Sequence, residues 1–154
     1  MKYGDPFAGV LRVRVSALIY KNQSILLVKQ QVPTRNNPIW LPPGGAIELG
    51  EFSKQSVKRE VREETNLSVS GLRLRYLHEF VEPPYHAIEL YYHVSEFEGE
   101  LGIGSDPELQ PDKQQIKEVQ FVSFRNMNSM DIYPEFLKQE INLNNLNEPG
   151  IKHF

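Results

Sequence analysis

The stretch from Trp40 to Thr65 constrains this chain most, because it breaks regular structure and then starts a helix at once. In Trp40-Leu41-Pro42-Pro43-Gly44-Gly45, two prolines remove backbone donors and two glycines admit positive φ, so a loop with exposed backbone groups is expected. Phe52 to Thr65 then contains neither Gly nor Pro, with Ser53 placed to cap it and Asn66 to stop it. That composition predicts a helix of about four turns. On such a helix Glu60, Glu63 and Glu64 stand at i, i+3 and i+4, so their carboxylates project from one side, with neighbouring Cβ atoms within about 6 Å. Adjacent anions repel one another, and partial burial sharpens the repulsion. A divalent cation turns that repulsion into a binding site, and hard carboxylate oxygen matches Mg²⁺. Arg59, one turn from Glu63, has the planar fork to orient a carboxylate. Standing alone, the run Arg59 to Glu64 would read more simply as a solvated face laced with ion pairs. A solvated face, however, has no need of a Pro-Pro-Gly-Gly loop directly upstream.

Around this centre the pattern is mostly strand. Val10 to Tyr20 alternates Val13, Val15 and Ala17 with Arg12, Arg14 and Ser16, which predicts a strand with one buried face. After the turn Lys21-Asn22-Gln23, the apolar run in Ser24 to Gln30 is expected to pair back on that strand as a hairpin. Two further strands are expected at Leu72–Leu77 and His86–Phe97, separated by Glu82-Pro83-Pro84-Tyr85, and a last strand at Val119–Phe124. Pro134 to Ile141 predicts a short terminal helix, and residues 142–154, opening on an Asn-rich stretch, a frayed tail.

Composition narrows the chemistry. The 154 residues suit one domain, 1–154, able to bury its own core. Without cysteine there is neither a thiolate metal site nor a Cys nucleophile, so a metal must sit on oxygen or imidazole, which favours Mg²⁺ or Mn²⁺. A formal net charge of −3 argues against long nucleic acid as partner and for a small substrate. No apolar stretch approaches the roughly 18 residues of a membrane span, and the first residues do not read as a signal peptide, so a cytoplasmic location is expected. A homodimer is compatible with all of this.

These residues resemble the Nudix hydrolase family, whose signature runs Gly, five residues, Glu, seven residues, then Arg-Glu-aliphatic-any-Glu-Glu-any-Gly-aliphatic. Gly45, Glu51 and the run Arg59-Glu60-Val61-Arg62-Glu63-Glu64-Thr65-Asn66-Leu67 match every fixed position but one. The departure is Asn66 in place of Gly, at a position expected to take the left-handed conformation that ends a helix; Asn tolerates it best among non-glycine residues. The first hairpin, the Trp-x-x-Pro-Gly-Gly approach and Glu118 to Ser123 also look similar to the family's flanks. The resemblance implies an α/β (α+β) fold: an α/β/α sandwich with a mixed β-sheet. It implies Glu60 and Glu64 as principal metal ligands, Glu63 as a further ligand or water-holding carboxylate, and the Gly44 carbonyl as another ligand. Gly45 and Glu51 would be structural members of the box, and Arg59 would brace the loop and helix behind the catalytic groups.

The implied reaction is Mg²⁺-dependent (or Mn²⁺-dependent) attack of water on a diphosphate phosphorus of a nucleoside diphosphate derivative. A nucleotide sugar such as ADP-ribose, a nucleoside triphosphate and a dinucleoside polyphosphate all qualify. A general base is also required. Beside Glu63, the acids Asp106, Glu108, Asp112 and Glu118 are candidates, with Glu118 ranked first among the late ones. The alternative from another class is a non-catalytic nucleotide-sensing module of the same fold. Arg12 and Arg14 on the polar face of the first strand would reach a substrate phosphate, as similar arginines do in the family. Trp40, Phe80 and Tyr85 are candidates to stack on a base, with packing in the core as the competing role. In the family, residues some sixteen to eighteen positions past the box hint at the substrate. Here they are Pro83, Pro84 and Tyr85, which point both to nucleotide sugars and to dinucleoside polyphosphates. His78, His86 and His93 lack metal-ligand spacing and read as structural or surface residues.

Overall fold

The computed structural model describes residues 4–104, 116–142, 145 and 148–154. Nine strands form among them: β1 Leu11–Leu18, β2 Tyr20–Lys21, β3 Ser24–Gln30, β4 Ile39–Leu41, β5 Gly44–Ala46, β6 Ser68–Glu82, β7 Tyr85–Glu98, β8 Ile116–Ser123 and β9 Lys152–His153. Helix α1 spans Ser53–Thr65, α2 spans Phe136–Asn142, and a 3-10 helix covers Phe124–Ser129. A five-stranded mixed sheet runs β5-β1-β7-β6-β9, with β1 parallel to β7 and antiparallel to β5. In the second sheet β3 is central, pairing with β8 over its whole length and with β2 and β4. No helix among the described residues is long and apolar enough to cross a membrane.

Val15 to Ile19 and Ile25 to Val28 are buried without interruption, because both of their faces are covered. Val15, Ala17, Leu26 and Tyr92 pack with Val57 and Val61 of α1. Leu18, Ile25, Leu27, Tyr76 and Tyr91 pack on the other side with Phe136 and Leu137 of α2. The expected α/β/α arrangement with a mixed sheet is therefore what forms.

Several local expectations are corrected. β3 does not pair back on β1; the chain changes sheet at Ile19, and only β2 makes the hairpin, through Asn22 and Gln23 at φ of 50° and 58°. Two successive positive φ values give the turn whose twist suits a two-residue hairpin. Gly44-Gly45 is not an exposed loop but opens β5, an edge strand on β1, with Gly44 buried. A Cβ at Gly44 would lie 2.0 Å from the Val15 carbonyl oxygen, so only glycine lets the backbones approach this closely. Ser53 is not the N-cap: its hydroxyl bonds Tyr92 Oη at 2.6 Å, and Gln55 Oε1 accepts the Phe52 N–H at the helix start.

The C-terminal stretch docks rather than frays. Lys152 and His153 pair parallel with β6, the Phe154 ring stacks on Phe136 at 4.3 Å, and buried Arg75 donates to the Asn145 and Gly150 carbonyls at 2.9 and 2.8 Å. The Asn-rich composition hid this, because the docking runs through backbone groups and a terminal aromatic.

Asn66 ends α1 at φ 64°, its N–H donating to the Arg62 carbonyl. The left-handed cap expected from the sequence is present. Asn66→Gly should be neutral or mildly stabilising, whereas Asn66→Val should cost roughly 1 to 3 kcal/mol, since a β-branched residue is strained at positive φ. Urea unfolding of both variants checks this; a fully stable Asn66→Val would contradict the cap.

Candidate active site

β5 and α1 meet through glycine. Gly45 lies so close beneath Glu60 that an added Cβ would sit 2.4 Å from its Oε1, and the Gly44 N–H donates to Glu64 Oε2 at 3.1 Å. The loop between β5 and α1 is held by Arg59, whose Nε donates to Glu51 Oε1 at 2.9 Å and whose Nη2 reaches Glu51 Oε2 and the Ala46 carbonyl, both at 3.1 Å. Its Nη1 lies 2.8 Å from Glu60 and 3.3 Å from Glu63, with Glu48 at 3.8 Å. One cation thus serves four carboxylates, and Glu64 adds a fifth acid beside them.

The electrostatics follow from that imbalance. The Arg59 hydrogen bond above all holds the Glu51 carboxyl down at about 2. Withdrawal from water pushes Glu60 up, against the pull of Arg59. Glu64 is driven well above the usual carboxylate range, first by withdrawal from water and then by the Glu60 charge. Arg14 opposes the rise in both, so β1 contributes positive potential here. Because the folded value of Glu51 lies below its unfolded one, the stability it contributes is present above about 4.5 and lost as pH falls toward about 2. Glu51→Gln should therefore lower stability at pH 7 and make it less sensitive to acid between pH 5 and 3. Urea midpoints across that range check this, and parallel curves for the two proteins would contradict it.

The group fits a hard divalent cation by its chemistry: Glu60, Glu63 and Glu64 offer carboxylate oxygen, and withdrawal from water penalises the charge of Glu60 and Glu64. As they stand, no three acidic or imidazole groups among the described residues converge on one point, since Arg59 Nη1 lies between Glu60 and Glu63.

A cleft opens between the two sheets, and Arg14 is shared between it and the surroundings of Glu60 and Glu64. Arg12 and Arg14, the predicted substrate residues of β1, line it together with Tyr85, Phe80, Glu89 and Tyr133. Phe7 of the N-terminal segment covers the rim, with the Arg12 guanidinium 4.1 Å over its ring. Tyr85 Oη donates to Asp5 and so ties that segment to the β6–β7 hairpin, whose turn is Pro83-Pro84. Trp40 is half-buried against the core, with Lys29 5.7 Å from its ring. Glu118 is exposed on β8 and is held by Lys29 at 3.2 Å. Asp106, Glu108 and Asp112 lie outside the described residues.

Of the histidines, His86 meets Glu79 at the surface at 2.9 Å, and His93 packs on Tyr20, where burial lowers its pKa. His78 instead contacts buried Glu89 at 2.9 Å. Glu89 and Tyr133 were not foreseen. Period-two alternation places Glu89 on the same face as buried Tyr91, so an acid on an inward face of β7 was a readable signal; Tyr133 carried none.

The NUDIX domain family model matches residues 10–139. The chain belongs to the NUDIX domain family. An ADP-ribose pyrophosphatase of Methanocaldococcus jannaschii is 32% identical over 120 residues, which are 75% of this chain and 63% of that protein. The m7GpppN-mRNA hydrolase NUDT17 of Danio rerio is 41% identical over 68 residues, 41% of this chain and 23% of that protein. The chain thus spans less than two thirds of the length of either relative. Among solved structures, the MutT protein of Methanosarcina mazei Go1 is similar in fold, with TM-score 0.69, 20% identity, and 90% of this chain and 96% of that one covered. The E. coli ORF135 protein is likewise similar, with TM-score 0.69, 19% identity, and 91% and 94% covered.

Proposed function

We propose that this NUDIX domain chain is a Mg²⁺- or Mn²⁺-dependent hydrolase that cleaves the diphosphate linkage of a small nucleoside diphosphate derivative in the cytoplasm, as one domain over residues 1–154. The observation that carries the reading is Arg14, which lines the cleft with Arg12 and acts electrostatically on Glu60 and Glu64 of the five-acid cluster around Arg59. Acids that favour a cation beside arginines that favour phosphate suit a metal-bridged diphosphate. The ADP-ribose pyrophosphatase among the relatives makes a nucleotide sugar the first substrate to try.

In this reading Glu60 and Glu64 hold the metal, with Glu63 and the Gly44 carbonyl as further donors, and Gly45 lets Glu60 approach. When bound, the metal neutralises charge developing on the diphosphate and acidifies water. Arg59 keeps Glu60 and Glu63 in place, and Glu51 anchors Arg59 from the loop. Glu63 is better placed than Glu118 to accept a proton from water, because it stands on α1 with Glu60 and Glu64 around Arg59, whereas Glu118 is on β8 and paired with Lys29. Arg12 and Arg14 bind phosphate oxygens, and Tyr85 closes the rim.

Phosphorus-31 NMR of the protein with Mg²⁺ and ADP-ribose, nucleoside triphosphates and dinucleoside polyphosphates tests this. Loss of the diphosphate resonances of at least one compound, stopped by chelator, is expected. Tight binding without cleavage of any would instead favour the nucleotide-sensing module.

A further inference from the structure

Glu89 occupies an unusual place for an acid. It stands in the middle of β7, only 4% of its side chain exposed, directly across from Arg14 on β1 and from His78 on β6. Its Oε2 accepts from Arg14 Nη1 at 3.4 Å, and its Oε1 meets both His78 Nδ1 at 2.9 Å and Tyr133 Oη at 2.5 Å. Tyr133 arrives from outside this sheet, its N–H bonded to the Trp40 carbonyl of β4, so the carboxylate joins the two walls of the cleft. With both oxygens committed to protein donors, Glu89 is not itself presented as a ligand for substrate. A buried anion is costly unless paired, and the pairing here restricts one group above all: the Arg14 guanidinium.

Arg14 is held but not satisfied. Its Nε is buried and has no hydrogen-bond partner, although nearly all buried donors in proteins find one. The same guanidinium lies in the cleft and near enough to Glu60 and Glu64 to bias their ionisation. A donor left open between an acidic cluster and a cleft is poised for an anionic oxygen.

We infer that Glu89, supported by Tyr133 and His78, is a positioning residue that presets Arg14 so that its open Nε–H face receives a phosphate oxygen of the substrate. The inference rests on the proposed diphosphate site. The carboxylate fixes the guanidinium before binding, so ordering a long side chain is not a cost of association. Glu89→Gln keeps the shape but removes the charge and puts an NH₂ against groups that are themselves donors.

Calorimetric titration of α,β-methylene-ADP with Mg²⁺ tests it in a double-mutant cycle. Glu89→Gln should weaken binding about tenfold and Arg14→Ala by at least as much, while the double variant should bind no more weakly than Arg14→Ala alone. Tyr133→Phe, which removes a single donor and keeps the carboxylate, serves if Glu89→Gln fails to fold. It should weaken binding severalfold in the wild-type background and not at all in Arg14→Ala. A merely structural role would lower affinity whether or not Arg14 is present. Wild-type binding with Glu89→Gln or Tyr133→Phe unaffected, or losses that multiply with Arg14→Ala, would overturn the inference and leave the diphosphate reading standing. Absence of binding by the wild type would overturn both.

Discussion

Glu64→Gln is expected to lower Mg²⁺-dependent turnover by about a thousandfold or more while leaving the protein folded. The carboxylate is set against the Gly44 N–H, and its ionisation is opposed by withdrawal from water and by Glu60. Under the proposed function a cation would offset that cost and supply several kcal/mol of transition-state stabilisation, each 1.36 kcal/mol being tenfold in rate. Stability should move the other way. A carboxyl with a raised folded pKa contributes stability that is present below its unfolded value and lost as pH rises through the folded one. The metal-free Gln variant should therefore equal or exceed the metal-free wild type in melting temperature at pH 7. Steady-state kinetics and a thermal melt on the same preparation check both halves. Retained turnover would remove Glu64 from the site, and a collapsed melt would make its role structural.

The second large effect is expected at Gly44→Ala. Its Cβ would lie 2.0 Å from the Val15 carbonyl oxygen and 2.8 Å from Ser16 Cα, both backbone atoms of β1. A side-chain end can turn away from such a clash, but a strand paired on both edges cannot. β5 must therefore lift off β1, and with it the Gly44 N–H that Glu64 uses. A loss of at least about 2 kcal/mol is expected, at the upper part of the range for overpacking. Gly50→Ala is the contrasting control: no atom lies within 4 Å of its added Cβ, so only its φ of 86° is strained. Urea unfolding of the two variants separates crowding from backbone strain. Equal, small losses would show that β5 is not locked on β1.

The helix that carries the acids was legible because its signals are local: an uninterrupted run after Gly and Pro, acids at helical spacing, and an Asn able to cap in the left-handed region. What Arg59 does was legible only in part. Its i, i+4 relation to Glu63 could be read, whereas its bonds to Glu51 and to the Ala46 carbonyl depend on how the loop folds back. Sheet pairing was the least legible, since Ser24–Gln30 reads alike whether it pairs with β1 or with β8. The doubly buried run of β3 carries no alternation that would assign a partner, and the alternation of β1 does not reveal that both of its faces are covered from Val15 onward. Glu89 shows the intermediate case. Its inward direction follows from period two, but its pairing with Arg14 needs β1 beside β7, a parallel neighbour more than seventy residues away in sequence.

The central claim is that the carboxylates of α1 hold a divalent cation. Titration of Mn²⁺ followed by electron paramagnetic resonance, in which bound ion loses the sharp signal of free Mn²⁺, tests it on wild type, Glu60→Gln and Glu64→Gln. The account predicts saturable loss of the free-ion signal with wild type, a parallel rise in melting temperature because only the folded state binds, and neither response in the two variants. Equal Mn²⁺ binding by wild type and Glu60→Gln would place the metal elsewhere and contradict the account.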